Sequence, residues 1–323
     1  MGDPAGIGPE VVAKACAMPE VARICQPLVL GSLPVMERTV RSLRLPLRVV
    51  GVSGHGDAIG RRGILPVLDP LTRPLGRFTM GKVGKQTGAA SAVFIAKAVR
   101  LAQLGCLDAI VTGPINKEAI NLAGYDYPGH TEMLADLTKS RESVMMILGG
   151  PLKIMFVTTH VAVKHLPASL TSGLIGKAIR LAHKALREYF GIRTPKIGVA
   201  AFNPHAGEHG LFGNEEQRVI LPACRRARAR GIHASDPLPA DTLFGKAARG
   251  AYDGVVAMYH DQGLIPLKLL AFGRCVNLTI GLPIIRTSVD HGTAYDIAGK
   301  GVADPGSMVE AITLAAKLAT KRK

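Results

Sequence analysis

The chain has 323 residues, of which 47% are apolar and 20% charged, and this composition excludes a disordered protein and a collagen. Lysine and arginine total 40 against 24 aspartate and glutamate residues, so the formal net charge is +16 and the partners to consider are nucleic acids and anionic ligands. The chain has no apolar run long enough to cross a membrane and no signal-peptide pattern, so we expect a cytoplasmic protein without a membrane span.

Short apolar runs rich in valine and isoleucine alternate along the chain with longer stretches of helical periodicity. Buried parallel strands are predicted at 27–30, 108–111, 154–157, 197–200 and 254–257. Helices are predicted at 85–104, 171–189, 215–230 and 306–318. The alternation indicates an α/β fold. Because no Ser/Gly-rich linker divides the chain, two lobes are expected to exchange the chain more than once.

The first residues form a glycine-rich turn, GDPAGIGPE at 2–10, which leads into a helix with Pro9 in its first turn. Such a loop can offer backbone N–H groups to an anion, and a plain tight turn is the alternative. The third glycine of a dinucleotide fingerprint is missing and no strand precedes the turn in this chain. The motif therefore does not by itself predict a nucleotide site.

Three histidines each follow an apolar, strand-like run: His160, His205 and His260. Open α/β sheets bind ligands at strand ends, and neutral imidazoles suit a divalent transition metal whose remaining positions stay open for substrate. The long separations carry no local ligand signature, so three independent polar caps are the alternative. His165 is close enough to His160 to be a rival ligand.

Further candidates for binding lie in the middle and the last third of the chain. In the segment GHTE, Thr131 is expected to cap a helix while His130 points into a cleft. Lys268, Asn277 and Arg286 fall on a predicted helix, a strand and the following loop; lysine and arginine neutralise phosphate, and asparagine supplies a neutral amide. Ordinary surface charge is the alternative for each of them.

Seven ordered blocks, spread over the whole chain, resemble the 4-hydroxythreonine-4-phosphate dehydrogenase family of pyridoxal phosphate biosynthesis. The blocks are MGDPAGIGPE at 1–10, TGP at 112–114, GHTE at 129–132, NPHAGE at 203–208, PADT at 239–242, YHDQG at 259–263 and RTSVDHGT at 286–293. The segment HGTAYDIAG at 291–299 also resembles the adenine-binding loop of isopropylmalate and isocitrate dehydrogenases. The resemblance implies their two-lobed α/β/α sandwich, with the active site in the cleft between lobes. The implied lobes are 1–128 plus 288–323, with the cofactor loop, and 129–287, with the metal ligands and the dimer interface.

The resemblance also implies the ligands of the site. A divalent metal (Zn, Mg, Co, Mn or Ni) is expected on His160, His205 and His260, with the third histidine supplied by the partner subunit of a homodimer. The phosphorylated substrate is expected to be held by five residues, His130, Thr131, Lys268, Asn277 and Arg286.

The expected cofactor is NAD, near the loop that contains His291, Gly292, Thr293 and Asp296, where we infer that Asp296 accepts hydrogen bonds from the adenosine. Asp241 and Asp261 are the candidates for proton handling, because each lies inside a family block and a carboxylate can orient or relay a proton beside a metal.

The reaction implied by the resemblance is the NAD-dependent, metal-assisted oxidation and decarboxylation of 4-phosphohydroxy-L-threonine to 3-amino-1-hydroxyacetone 1-phosphate. The alternative is dehydrogenation of D-erythronate or D-threonate 4-phosphate in sugar-acid catabolism. The segments YPGH at 127–130, GLFG at 210–213 and TAYDI at 293–297 resemble that branch of the family more closely.

A nucleic-acid-binding protein is a third hypothesis, motivated by the net charge and by the arginine run at 225–230. That run lacks aromatic residues, so a solvated face near the end of a helix is favoured.

Two further expectations concern the start of the chain and its thiols. Family members normally carry several apolar residues before the first block, forming a strand, whereas this chain begins on the block. A misplaced start or a trimmed N-terminus is one explanation; if the chain is complete, we expect a sheet position that is empty or filled differently. The five cysteines are odd in number and form no C-x-x-C pair, which favours reduced thiols over a disulfide framework or a zinc ribbon.

Overall fold

The computed structural model describes residues 1–57 and 63–322 and has the predicted α/β fold. The strands in chain order are β1 (Val29–Leu30), β2 (Arg48–Gly51), β3 (Ile64–Leu68), β4 (Ile110–Thr112), β5 (Val144–Gly149), β6 (Leu152–Phe156), β7 (Lys196–Ala200), β8 (His233–Leu238), β9 (Gly254–Ala257), β10 (Val276–Ile280) and β11 (Arg286–Val289). The helices are α1 (Gly8–Ala17), α2 (Pro19–Ile24), α3 (Leu33–Ser42), α4 (Lys85–Gln103), α5 (Lys117–Leu122), α6 (His130–Leu137), α7 (Leu166–Ser169), α8 (Ser172–Glu188), α9 (Leu221–Arg228), α10 (Ala240–Ala248), α11 (His260–Ala271) and α12 (Gly306–Arg322).

Each predicted strand and helix has a counterpart in the structure. The predicted strands correspond to β1, β4, β6, β7 and β9, and the predicted helices to α4, α8, α9 and α12. The helix predicted at 215–230 is divided, because a π-helical turn at Glu216–Ile220 precedes α9. The expectation of purely parallel strands is wrong for β6, which pairs in parallel with β9 but antiparallel with β5.

The described residues divide into two compact units, one formed by Met1–Ser143 and Leu282–Lys321 and the other by Val144–Gly281. The chain therefore leaves the first unit and returns to it. These boundaries differ from the predicted lobes, 1–128 plus 288–323 and 129–287, because α6 belongs to the first unit. Its Met133 and Leu134 are buried in one apolar cluster with Ile95 and Val99 of α4. Residue 323 lies outside the described residues.

The first unit contains parallel strands in the order β1-β3-β2 and a parallel pair of β4 with β11. Helix α4 packs on both groups of core side chains: its Phe94 lies in the cluster that contains Val67 of β3, and its Ile95 in the cluster that contains Ile110 of β4. Small residues let this helix approach its neighbours. A Cβ at Gly88 would lie 1.9 Å from the carbonyl oxygen of Ala119 in α5, so glycine is required there.

Strands β1 and β4 both line a cavity of about 600 Å³ within the first unit. Leu30, Ile110 and Ala315 are among its lining residues. The α-amino group of Met1 also lines it and donates a hydrogen bond to the Leu30 carbonyl at 2.9 Å. Burial lowers the pKa of this amino group to about 5, since the charged form is poorly solvated there.

The second unit contains a mixed sheet in the order β10-β5-β6-β9-β7-β8. From β6 onward the neighbouring strands are parallel, so the carboxyl ends of β6, β9 and β7 lie at one edge of the sheet. Helix α11 covers the sheet, and its Leu264 and Leu267 are buried with Phe156 and Val255. Among residues 1–57 and 63–322, no helix is long and apolar enough to span a membrane.

Gly263 allows α11 to contact β6 closely. A Cβ at this position would lie 2.7 Å from the Phe156 ring and 2.8 Å from the Ile154 side chain. We expect Gly263→Ala to lower the free energy of unfolding by about 1–3 kcal/mol, because the added methyl group overpacks this contact. Chemical denaturation measures the change. Gly176→Ala in α8 is the matched control: its added Cβ meets nothing within 4 Å, so it should leave stability unchanged or raise it. Equal losses in both variants would contradict the packing explanation.

Candidate active site

The three candidate metal ligands follow neighbouring parallel strands of the second unit. His160 comes after β6, His205 after β7, and His260 is the first residue of α11, just beyond β9. This is the strand edge at which open α/β sheets bind ligands. The structure brings two of the three together: the ring centroids of His160 and His260 are 5.9 Å apart.

Hydrogen bonds beyond the strand ends hold the segments that carry these histidines. Thr158 donates from its backbone N–H and from its hydroxyl to the Met258 carbonyl, at 3.2 and 2.8 Å. The Met258 N–H donates to the side-chain oxygen of Gln262 at 2.7 Å, and the Gln262 amide donates to the Ala201 carbonyl at 2.6 Å. Gln262 thus connects the segment before His260 with the segment before His205. Sequence reasoning did not single it out, although it lies inside the YHDQG block.

The orientation of His260 is set by the neighbouring carboxylate. Its Nδ1 lies 2.6 Å from Asp261 Oδ1, and since a carboxylate accepts, the imidazole donates from Nδ1. That tautomer leaves the lone pair on Nε2 for a metal, as in the carboxylate–histidine pairs of many metal sites. The donor set therefore fits a divalent ion, and Asp261 acts on His260 as an orienting group.

The structure does not bring His205 together with His160 and His260. In the described ranges, no three His, Cys, Asp or Glu side chains form a group able to hold a metal ion. His205 lies in a loop of left-handed backbone, with φ of 51°, and its ring centroid is 6.1 Å from that of Phe212. A three-histidine site thus stays a prediction, which the paired His160 and His260 support in part.

The candidate proton carriers differ in their surroundings. Asp241 lies in the first turn of α10, where its Oδ1 accepts from the Thr242 backbone N–H at 2.9 Å. Asp261 is 70% exposed and contacts His260. The contact favours an orienting role for Asp261 over a proton relay, and the role of Asp241 stays a prediction.

Two predicted substrate ligands lie in the second unit. Lys268 is half-buried on α11, and Asn277 is half-buried on β10. The side-chain oxygen of Asn277 is buried without a hydrogen-bond partner among the described residues. Since buried acceptors normally have a donor, this atom fits the hydroxyl or amino group of a ligand.

Arg286 lies in the first unit, on β11 and not in a loop as predicted, because Arg286 itself pairs in register with Ile110 of β4. Its side chain is 1% exposed, and its Nε and Nη2 donate to the Thr112 hydroxyl at 3.2 and 2.7 Å. Burial lowers the pKa of the guanidinium to about 9, while the negative charge of Glu132 acts in the other direction and raises it. A buried cation of this kind suits an anionic ligand such as phosphate.

The helix that contains His130 and Thr131 begins two residues earlier than predicted. Gly129 is the N-cap residue and His130 the first residue of α6, so the expectation that Thr131 caps the helix is wrong. His130 lines the cavity of the first unit, and its Nε2 is buried with no hydrogen-bond partner in the described part of the chain. Burial, followed by the positive charge of Arg286, lowers its pKa well below the ordinary value of 6.5. The imidazole is therefore neutral at pH 7.

The shifted pKa of His130 predicts a pH dependence of stability. Below pH 6.5 the unfolded chain binds a proton at this histidine and the folded chain does not, so the free energy of unfolding falls as the pH falls. We expect a loss of up to about 1.4 kcal/mol per pH unit between the unfolded and folded pKa values. Urea denaturation from pH 7.5 to pH 5.5 measures it, with His130→Gln as the comparison. A difference between the two proteins that stays constant with pH would contradict the shift.

The predicted cofactor loop is anchored on the N-terminal turn, within the first unit. The Ile7 N–H donates to the Thr293 carbonyl at 3.0 Å, and the Tyr295 hydroxyl donates to Asp3 at 2.8 Å. Thr293 is buried, whereas His291, Gly292 and Asp296 are exposed. Sequence reasoning missed Asp3 and Tyr295, whose contact joins residues at opposite ends of the chain.

The N-terminal turn itself uses its backbone donors internally. The Ala5 N–H donates to the Asp3 side chain at 2.8 Å, and the Gly6 N–H to the Asp3 carbonyl at 3.1 Å. With the Ile7 N–H also engaged, these donors are not directed at an anion. The structure therefore favours the tight-turn interpretation of this motif over the anion-binding one.

Comparison with known proteins identifies relatives along the whole chain. The family model described as "Pyridoxal phosphate biosynthetic protein PdxA" matches residues 23–315. A 4-hydroxythreonine-4-phosphate dehydrogenase of Geobacter metallireducens is 48% identical over 319 residues, covering 99% of this chain and 94% of that protein. A D-threonate 4-phosphate dehydrogenase of Cupriavidus necator is 46% identical over 323 residues, covering 100% and 96%. The crystal structure of 4-hydroxythreonine-4-phosphate dehydrogenase from Klebsiella pneumoniae matches with a TM-score of 0.91 at 41% identity, covering 99% of this chain and 98% of that one.

Proposed function

The chain belongs to the PdxA family of dehydrogenases, and we propose that it oxidises a phosphorylated four-carbon hydroxy acid with NAD and a divalent metal. The leading substrate is 4-phosphohydroxy-L-threonine, with 3-amino-1-hydroxyacetone 1-phosphate as the product after decarboxylation. The observation that carries the proposal is the pairing of His160 and His260 at the strand edge, with Asp261 orienting one of them. The alternative substrate, D-threonate 4-phosphate or its erythronate counterpart, is supported by the relative from Cupriavidus necator.

We assign His160, His205 and His260 to the metal. A divalent ion on these imidazoles supplies Lewis-acid stabilisation of negative charge on the substrate, during both oxidation and loss of carbon dioxide. Imidazole donors favour Zn²⁺, Co²⁺, Ni²⁺ or Mn²⁺ over Mg²⁺, which prefers oxygen ligands. Asp261 holds His260 in the tautomer that leaves Nε2 free, and we assign the movement of the hydroxyl proton to Asp241.

The substrate's phosphate is assigned to the cations Arg286 and Lys268, because phosphate is doubly charged near neutral pH and guanidinium and ammonium groups bind it through charge-assisted hydrogen bonds. The neutral imidazole of His130 and the hydroxyl of Thr131 supply hydrogen-bond donors without adding charge. The orphaned oxygen of Asn277 accepts from a substrate hydroxyl or amino group. These residues bind and orient the substrate for the chemical step.

We assign the loop of His291, Gly292, Thr293 and Asp296 to NAD, which would supply the hydride acceptor. Tyr295 anchors this loop on Asp3; Thr293 is buried, and the other three residues are exposed. Exposed groups on a fixed loop are suited to a cofactor that binds and leaves in each turnover. Asp296 is assigned to the hydroxyl groups of the adenosine.

Turnover of 4-phosphohydroxy-L-threonine, D-threonate 4-phosphate and D-erythronate 4-phosphate, measured side by side with NAD and Zn²⁺, Co²⁺ or Mn²⁺, tests the proposal. The absorbance of NADH reports oxidation, and the highest kcat/KM identifies the substrate. Absence of NADH with all three substrates would contradict the proposal. Salt-sensitive retention on DNA, with no turnover, would favour the nucleic-acid hypothesis instead.

We further propose a homodimer in which each subunit supplies one histidine to the other's site. Helix α11 supports this, because its Ile265 and Leu269, one turn apart, are 60% and 81% exposed, and Phe272, directly after the helix, is 84% exposed. An apolar face of this kind is a candidate interface, and His260 begins the same helix. We also propose a cytoplasmic location, since none of the cysteines in the described residues forms a disulfide and the cytoplasm keeps thiols reduced.

A further inference from the structure

The loop that carries His205 has a backbone conformation that needs external support. Residues 205–209 all have positive φ, between 41° and 79°, and Gly207 is the single glycine among them. Residues with a Cβ rarely adopt this left-handed conformation in succession, because the Cβ crowds the following carbonyl. Contacts from elsewhere in the second unit must therefore hold the loop, and with it the imidazole of His205.

The side chain of Glu216 supplies these contacts. It is 3% exposed, and its Oε1 accepts from the backbone N–H groups of Phe202 and Asn203 at 2.8 and 2.7 Å. Its Oε2 accepts from the side-chain amide of Asn203 at 3.0 Å. All three donors belong to the two residues that precede Pro204 and His205. Glu216 also begins the π-helical turn at 216–220, a local irregularity that is frequent at functional sites.

The close fit between this carboxylate and the loop is visible at Gly207. A Cβ there would lie 2.7 Å from Glu216 Oε2 and 2.8 Å from the Gly213 carbonyl oxygen. The donors of Phe202 and Asn203, which precede the loop, in turn satisfy the buried carboxyl oxygens of Glu216. The carboxylate and the left-handed loop therefore depend on each other.

We infer that Glu216 is a positioning residue that fixes the backbone just before His205 and thereby presents its imidazole to the proposed metal. The inference rests on the proposed function, because it takes His205 as a ligand. Glu216 does not touch the substrate or the metal in this role; it acts through the backbone of residues 202 and 203. Its removal should weaken metal binding by more than its effect on stability explains.

The test measures the affinity for Zn²⁺ by competition with a chromophoric chelator. Glu216→Gln keeps the shape of the side chain but removes the charge and replaces one acceptor with an amide donor. We expect it to weaken Zn²⁺ binding by about 10- to 100-fold, the range seen when groups behind metal ligands are changed. At saturating Zn²⁺, kcat should return close to that of the unaltered enzyme. Amide exchange at residues 202–209 should become faster.

Glu10→Gln is the matched control. Glu10 is also a buried carboxylate, 4% exposed, which accepts from the Ala303 N–H and from Lys14, but it lies in the first unit. We expect Glu10→Gln to lower the free energy of unfolding without changing the affinity for Zn²⁺. If Glu216→Gln does not fold, Asn203→Ala replaces it, because that variant keeps both backbone donors to Glu216 and removes only the contacts of the Asn203 side chain with Glu216 and Glu215.

His205→Ala distinguishes a failure of the ligand assignment of His205 from a failure of the positioning role of Glu216. Weak Zn²⁺ binding in His205→Ala together with unchanged binding in the Glu216 variant would overturn the positioning role and leave the proposed function intact. Unchanged binding in His205→Ala would overturn both the ligand assignment and the positioning role. Equal weakening in Glu216→Gln and Glu10→Gln would show that the effect is one of stability alone.

Discussion

Replacing His160 or His260 with alanine is expected to remove the bound metal ion and to lower kcat/KM by about a thousandfold. The two imidazoles lie 5.9 Å apart between ring centroids, and Asp261 orients one of them. Lewis-acid stabilisation contributes several kcal/mol to such reactions, so its loss is large, and each ligand should be individually necessary. Metal content after dialysis and NADH formation measure the two losses in the same sample.

The fold should survive these substitutions. The side chain of His260 is 37% exposed, and a catalytic metal site of this kind does not form the core of the unit. Circular dichroism and the unfolding transition check this. His165→Ala is the control, because His165 is the nearby rival ligand and lies exposed in a short helical turn at 163–165. Retained metal in His160→Ala together with lost metal in His165→Ala would contradict the assignment.

Mixing two inactive variants is expected to restore activity. If His260 of one subunit completes the site that contains His160 of the other, a heterodimer of His160→Ala with His260→Ala has one intact site and one doubly altered site. Random exchange of subunits then yields about a quarter of the activity of the unaltered enzyme, by the symmetry of a two-fold dimer. The apolar face of α11 supplies the physical reason, since His260 begins the helix that this face would place against the partner.

A mixture that stays inactive would contradict the shared site. The structure already places His160 and His260 of one chain near each other. If each chain uses its own pair, every site in the mixture carries one substitution and the mixture stays inactive. Each variant alone provides the baseline, and sedimentation establishes that the mixed sample is dimeric. An unaltered enzyme that keeps full activity as a monomer would also contradict the shared site.

The periodicity of the sequence was sufficient for the α/β fold and for the strand ends at which the candidate ligands lie. Alternating apolar runs and helical stretches identified β6, β7 and β9, and each carries a histidine just beyond its end. The family resemblance added roles for residues such as Asp241 and Asn277 that no local pattern supplies. Family membership is confirmed by the comparisons, and these residue roles stay predictions.

Other features depend on contacts between distant residues, which a local pattern does not encode. The antiparallel β5–β10 pair joins segments that are far apart in the chain, and it was missed. The sequence also gave no sign that Glu216 would be buried against Phe202 and Asn203, or that Gln262 would bridge two histidine segments.

The sequence by itself therefore determined the order of elements and the chemical types of the candidate ligands, because periodicity and residue identity are local properties. Only the tertiary structure decided which groups lose water and which acquire partners. Arg286 illustrates this: its residue type and the family resemblance already made it a candidate for binding phosphate, but only the structure shows that it is buried on β11, where desolvation lowers its pKa. Desolvation depends on everything packed around a side chain, and that packing exists only in the folded chain.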